Sequence, residues 1–253
     1  MSGHGDLQPF QRLDQMMVER GLAPSRSRAA DAITRGSVLV DGEMALKAAQ
    51  KIAPQAIITL DDPAEGYVSR AALKLLAALD AFDFSPEGLR ALDVGASTGG
   101  FTQVLLERGA VHVTAVDVGH DQLHARLRSD PRVLNREGLN ARALSADDVP
   151  GPVEAIVSDV SFISLRLALP ASLALAEAGA WAVLLVKPQF EVGRKAVGKG
   201  GIVRDREEAA RTAEAIAAFV GSQPGWRVTG LIECPVAGSD GNREYLLGAR
   251  RDA

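Results

Sequence analysis

The stretch LRALDVGASTGGFTQVLLERGAVHVTAVDVG, residues 89–119, constrains the fold of this chain more than any other. LRALDV has the apolar run of a short buried strand, and GASTGG is a glycine-rich turn. FTQVLLERGA has the periodicity of an amphipathic helix ending at Gly109, and VHVTAVDVG is a second strand with Asp117 at its C-terminal end. A strand, turn, helix and strand in this order is the unit of a doubly wound parallel sheet, which binds its ligand beyond the carboxyl ends of the strands. Two ligands suit such a turn, a dinucleotide and S-adenosylmethionine, and the spacing separates them. A dinucleotide turn reads G-x-G-x-x-G and brings backbone N–H groups to a pyrophosphate. Here Gly95, Ala96, Ser97, Thr98, Gly99 and Gly100 follow an acid, Asp93, in the pattern D-x-G-x-x-x-G, with Phe101 next. A carboxylate repels a pyrophosphate and attracts the ammonium of a methionine moiety. The pattern therefore favours S-adenosylmethionine, with Asp117 placed to accept hydrogen bonds from ribose hydroxyls.

Beyond this unit, RVLNREGLNARAL supplies a third strand and a loop, where Glu137 and Asn140 are candidates to flank an adenine. Two more apolar runs end in charge: VEAIVSDVSF runs into Asp159, and WAVLLVKPQF into Lys187. An ammonium at the end of a buried strand is costly unless paired. Asp159 and Lys187 therefore read either as a structural ion pair or as an acid–base pair at the ligand. At 253 residues and 47% hydrophobic content, the chain can bury an α/β core and carry a smaller module. Its single cysteine, Cys234, excludes an intrachain disulfide, and no Cys/His cluster has the ligand count of a zinc site.

The smaller module is N-terminal. FQRLDQMMVERG has Leu13, Met16, Met17 and Arg20 at helical spacing. In PSRSRAADAITRGSVLVDG, Arg26, Arg28 and Arg35 fall at spacings that can share one side of a short helical pair, and SVLVDGEM reads as a strand, an Asp-Gly turn and another extended segment. The net charge of −4 argues against coating nucleic acid by bulk charge, so any RNA contact falls to local clusters such as these arginines. The run RLDQMMVERGLAPSRSRAADAITRGSVLVDG, 12–42, resembles the S4 RNA-binding module. The resemblance implies a small α+β domain over residues 1–62, with Arg12 and the arginine-rich turn on phosphates. LDDPAEG, 60–66, is the expected boundary, and residues 67–253 the second domain.

Over nearly its whole length the chain resembles the TlyA family. The matching pieces are YVSRAALKL (67–75), DVGASTGGFT (93–102), SDVSFISL (158–165), LVKPQFE (185–191) and GNREYLL (241–247), in that order. Members of that family are ribosomal RNA 2′-O-methyltransferases, some named hemolysins, with a catalytic domain similar to FtsJ-type methyltransferases. The resemblance implies a Rossmann-like class I methyltransferase domain, S-adenosylmethionine as cofactor, and transfer to a ribose, with cytidine as the nucleoside. It also implies a Lys-Asp-Lys-Glu tetrad at Lys74, Asp159, Lys187 and Glu244. Ala71 and Leu73 stand where SRGAHKL would carry glycine and histidine, so the surroundings of Lys74 differ from the family pattern.

KPQFEVGRKAVGKGGIVRD, 187–205, reads as a basic glycine-rich loop beside the site, with Arg194, Lys195 and Lys199 as candidates to close over RNA. REEAARTAEAIAAFV is an amphipathic helix, and the stretch from Trp226 onward a closing antiparallel hairpin whose second strand carries Glu244. LALPASLALAEAGAWAVLLV, 167–186, is interrupted by Pro170, Ser172 and Glu177. A buried helix, a turn at Gly179 and a buried strand explain it better than a membrane span. The N-terminus lacks a secretory pattern, which predicts a cytoplasmic protein. The expected partners are ribosomal RNA and ribosomal subunits. Two other readings stand beside this one: a non-catalytic assembly factor, and a membrane-active hemolysin.

Overall fold

The computed structural model describes residues 10–34, 36–61, 63–193, 201–236, 238 and 242–252. It divides into two compact units, Met1–Glu65 and Gly66–Ala253. Arg35, Arg194, Lys195 and Lys199 lie outside the described residues.

In the first unit, β1 (Gln11–Arg12) leads into α1 (Leu13–Glu19), followed by α2 (Arg26–Thr34), β2 (Val38–Val40), β3 (Glu43–Met44), β4 (Lys51–Ile52) and β5 (Ile58–Leu60). Leu13, Met16 and Met17 of α1 pack on Ala29 and Ile33 of α2 and on Val38 and Ile52. The apolar positions at helical spacing thus become the core of this unit. Asp41 (φ 51°) and Gly42 (φ 84°) form the tight turn between β2 and β3, since both central residues of such a turn need positive φ. The pairing of β2 with β5 and of β1 with β4 was not legible in the sequence, because those strands are only two or three residues long.

The second unit carries α3 (Ala71–Phe82), β6 (Arg90–Val94), α4 (Gly100–Glu107), β7 (His112–Asp117), α5 (Ala125–Arg128), β8 (Val133–Glu137), β9 (Val153–Ser158), α6 (Leu165–Leu175), β10 (Ala176–Val186), α7 (Pro188–Glu191), α8 (Arg206–Gly221), β11 (Trp226–Glu233) and β12 (Tyr245–Arg251). Its seven-stranded sheet runs β11-β12-β10-β9-β6-β7-β8. The five strands from β10 to β8 are parallel, while β12 pairs antiparallel with β10 and β11. The strand order reverses between β6 and β9, which is the crevice where a doubly wound sheet binds its ligand.

Both faces of the sheet are covered, so the central strands read as continuous apolar runs rather than alternating ones. Residue parity assigns the faces. Ala182, Leu184 and Val186 join Leu169, Ile216 and Val220 of α6 and α8. Val183, Leu185, Ala155, Val157 and Leu246 join Leu75, Leu79, Val104 and Leu105 of α3 and α4. Continued by two residues, the second parity reaches Asp159, Lys187 and Glu244, so all three emerge on the face that α3 covers.

α3 ends at Phe82, with Asp83 in the left-handed region (φ 52°). One local expectation is corrected. Gly179 (φ 85°) is not a separate turn: β10 begins at Ala176, and its pairing with β9 shifts register between Ala176 and Trp181, so Gly179 lies in a bulge. Among the described residues, no helix is long and apolar enough to cross a membrane.

Candidate active site

The turn after β6 is built for close approach. Gly95 has φ 86°, and a Cβ there would stand 2.8 Å from Val160 Cγ1 and 3.1 Å from the Asp159 carbonyl oxygen. Gly100 meets the start of α3, where a Cβ would come 3.1 Å from the Ala72 backbone nitrogen. Gly99 serves packing: its open face is filled by Leu123 and Leu127. Asp117 holds the turn from the next strand, accepting from the Ser97 N–H at 2.8 Å and the Gly119 N–H at 2.7 Å.

Two cavities flank this turn. The larger, about 530 Å³, is lined by Gly95, Ser97, Asp117, Val118, Leu139, Asn140, Asp159 and Phe162 among others. The smaller, about 140 Å³, is lined by Ser69, Ala71, Ala96, Thr98, Gly100, Phe101 and Lys187, and shares Gly95, Ser97, Asp159 and Ser161 with the larger. A mostly apolar chamber with a carboxylate and an amide, opening on a polar one with a lysine, suits a nucleoside joined to a charged tail. Asn140 lines the larger chamber. Its Oδ1 also accepts from the Arg142 N–H at 3.0 Å.

Neither Glu137 nor Asp93 lines either of these two cavities. Glu137 accepts from the N–H groups of Leu123 (2.8 Å), Gln122 (2.8 Å) and Asp121 (3.0 Å), so it fixes the loop after β7. The Leu123 bond, opposed by desolvation and joined by those of Gln122, Asn135 and Asp121, draws its carboxyl down to about 2. Asp93 is fully buried behind the turn. Its Oδ2 accepts from the Thr102 hydroxyl at 2.7 Å, and its Oδ1 has no hydrogen-bond partner among the described residues. Burial, partly offset by Thr102 and reinforced by the charge of Asp159, pushes the Asp93 carboxyl up to about 7.

A raised acid binds its proton more tightly folded than unfolded. Stability is therefore full below the unfolded value near 3.8 and is lost as pH rises toward about 7. Asp93→Asn should melt above the wild type at pH 8, by roughly 4 kcal/mol, with the gap narrowing as pH falls through 7 and closing only near the unfolded value of 3.8. Parallel melting curves across that range would show that Asp93 carries no such cost.

The charged residues at the strand ends form two pairs. Lys187 Nζ lies 2.5 Å from Asp159 Oδ1 and donates to Ser161 Oγ at 2.8 Å. Lys74 Nζ, reaching from α3, lies 2.5 Å from Glu244 Oε2, with both side chains buried. Register brings the pairs to one rim. Val186 faces Tyr245, so Lys187 and Glu244 occupy the next position of the same antiparallel ladder, and the Cys234 N–H donates to the Glu244 carbonyl at 2.8 Å. Burial pushes the Cys234 thiol up, and the charges of Lys74, Glu244 and Asp159 all act on it, so the cysteine shares that rim. Ala71, one of the departures near Lys74, lines the smaller cavity.

Sequence reasoning missed Ser161, the acceptor beside Lys187, although a polar residue just past a strand end was a signal. It also missed Phe162, 91% exposed at φ 64° with its ring 5.1 Å from Phe190, and Asn242, buried and bonded to Val203 and Gly201. In the first unit, Arg12 and Arg26 converge on Asp14. Arg28 lies at the exposed start of α2, where its N–H donates to Ser25 Oγ at 3.3 Å.

A doubly wound sheet with a D-x-G-x-x-x-G turn at its switch point and a lysine beside it defines a methyltransferase-type domain. Residues 67–251 match the FtsJ-like methyltransferase family, and residues 11–58 match the S4 domain. The chain is 47% identical to the 16S/23S rRNA (cytidine-2′-O)-methyltransferase TlyA of Mycobacterium tuberculosis, over 94% of this chain and 89% of that protein. It is 35% identical to the 23S rRNA (cytidine-2′-O)-methyltransferase TlyA of Campylobacter jejuni, over 90% of this chain and 95% of that one. A solved structure of a hemolysin-named protein from Streptococcus thermophilus superposes with a TM-score of 0.74 at 40% identity, over 96% of this chain and 89% of that one. The chain belongs to the TlyA family of FtsJ-like methyltransferases.

Proposed function

We propose that this protein transfers the methyl group of S-adenosylmethionine to the 2′-hydroxyl of a cytidine in ribosomal RNA, and that Lys74, Asp159, Lys187 and Glu244 carry the reaction. The observation that carries this reading is the meeting of the two cavities at Gly95, Ser97, Asp159 and Ser161, with Lys187 in the wall of the smaller. The residues present fit the cofactor. Asp117 and Asn140 line the nucleoside-sized chamber, Gly95 leaves room that a Cβ would fill, and behind the turn the Asp93 Oδ1 has no hydrogen-bond partner among the described residues.

When bound, S-adenosylmethionine supplies a methyl group already activated by its sulfonium. The protein's task is the ribose hydroxyl, a poor nucleophile until its proton is withdrawn. Lys187 Nζ contacts the 2′-oxygen and either accepts its proton or stabilises the developing alkoxide, while Asp159 and Ser161 fix the direction of the ammonium. Glu244 holds Lys74 through the second pair, and Lys74 adds positive charge at the same rim. Alignment of oxygen and methyl supplies much of the remaining acceleration. The N-terminal unit binds folded rRNA through phosphate contacts from Arg12, Arg26 and Arg28, joined by Arg35. The basic stretch that carries Arg194, Lys195 and Lys199 supplies further positive charge for the same RNA. Such a substrate sets the work of the enzyme in the cytoplasm.

The test is transfer of radiolabelled methyl to purified ribosomal subunits. Label is expected in rRNA, at a linkage resistant to alkali because the 2′-oxygen can no longer attack its phosphate. Absence of label on both subunits, with cofactor binding intact, would favour the assembly-factor reading.

A further inference from the structure

The N-terminal unit holds a carboxylate where an RNA-binding surface would least benefit from one. Asp14, the second residue of α1, is 4% exposed, yet it is the meeting point of two arginines from different elements. Arg12, at the end of β1, grips it with both prongs: Nε donates to Oδ1 at 2.9 Å and Nη2 to Oδ2 at 2.8 Å. Arg26, the first residue of α2, donates from Nη2 to the same Oδ2 at 3.2 Å. The hydrogen bond from Arg12, opposed by burial and reinforced by Arg26, holds the carboxyl below its ordinary value. It is therefore ionised throughout the neutral range.

Two guanidiniums sharing one carboxylate oxygen would repel one another and separate without it. Each is only partly consumed. Among the described residues, Arg12 Nη1 and the Nε and Nη1 of Arg26 make no other hydrogen bond, and the two side chains remain 41% and 59% exposed. The net charge of the trio is +1, its donors are forked, and its geometry is fixed before any ligand arrives. That is the chemistry of a phosphodiester seat, since guanidinium forks match phosphate oxygens and preorganisation lowers the ordering cost of binding.

We infer that Asp14 is a positioning residue that gathers Arg12 and Arg26 into a single two-guanidinium seat for a backbone phosphate of the RNA. The inference rests on the reading of this unit as an rRNA-binding module. It departs from simple electrostatics in sign. If Asp14 were merely a negative charge near phosphate, its removal would tighten RNA binding, about threefold at ~6 Å in a water-like medium. As a positioning residue its removal weakens binding. Asp14→Asn keeps the shape and one acceptor for Arg12, but it turns an amide N–H₂ toward Arg26 and releases that arginine.

The experiment measures the affinity of the full-length chain for ribosomal subunits between 50 and 300 mM salt, for wild type, D14N, R26Q and the double variant, with melting temperatures alongside. D14N is expected to weaken binding about five- to tenfold at physiological salt and to make the slope of log K against log[salt] shallower by about one, the signature of one lost phosphate contact. R26Q should do the same. In the R26Q background D14N should cost little more, because both changes empty the same seat. D14N binding as tightly as wild type or tighter overturns the seat, as does a D14N loss of equal size in both backgrounds, which marks a purely structural carboxylate. Should D14N melt early, R26Q decides alone: wild-type affinity and slope in that variant also overturn the seat. Wild-type chain with no affinity for either subunit would instead remove the rRNA reading on which the inference stands.

Discussion

Lys187→Ala is expected to lower methyl transfer to ribosomal subunits by about 10³-fold while S-adenosylmethionine still binds. The lysine closes the smaller cavity, and its ammonium stands with Asp159 at the junction of the two chambers. Removing it takes away the group proposed to face the ribose oxygen, and it also takes away a positive charge from the chamber proposed for a sulfonium. Cofactor affinity should therefore hold or rise slightly, measured by calorimetry beside the transfer assay. Loss of cofactor binding together with transfer would make Lys187 a structural residue of the cavity. Lys187→Arg separates the two chemical roles left open above. A guanidinium keeps the positive field but does not accept a proton near neutrality, so partial rescue indicates alkoxide stabilisation and no rescue indicates a base.

Glu244→Leu should destabilise the enzyme by about 3–5 kcal/mol, because it strands the Lys74 ammonium in a buried site. In a chain of this size that is a fall of roughly 10 °C in melting temperature. The double variant Lys74→Met/Glu244→Leu replaces the pair by apolar side chains and should regain most of that loss, since a buried ion pair contributes little net stability over a well-packed isostere. Its methyl transfer should nevertheless stay at background. Recovered stability without activity separates the catalytic task of the pair from its structural one. Recovery of both would remove Lys74 and Glu244 from the reaction.

How far the sequence carried the fold depends on what each signal encoded. The turn from Gly95 to Gly100, the strand before it and the helix after it were legible because backbone sterics and burial dictate residue type at most positions there. Asp159 and Lys187 were legible as charges ending apolar runs, and the structure pairs them. The partnership of Lys74 with Glu244 was not readable from spacing, because 170 residues separate them and only the insertion of β12 beside β10 brings them together. Resemblance alone supplied those two positions. Asp93 and Glu137 show the opposite limit: residue type suggested ligand contact, whereas one carboxylate is buried behind the turn and the other is spent on three loop amides. A sequence displays an acid's charge but not which neighbouring N–H groups claim it first.

The placement of β12 also sets a timetable. In chain order it is the last strand of the sheet, yet in space it lies between β10 and β11, and Glu244 precedes it by one residue. A nascent polypeptide can therefore assemble the cofactor turn, Asp159 and Lys187 and still lack the fourth charged residue. The hairpin that delivers Glu244 cannot dock until residues 245–251 have left the exit tunnel. The last of the four charged residues proposed for the site is thus in place only after β12 has paired beside β10.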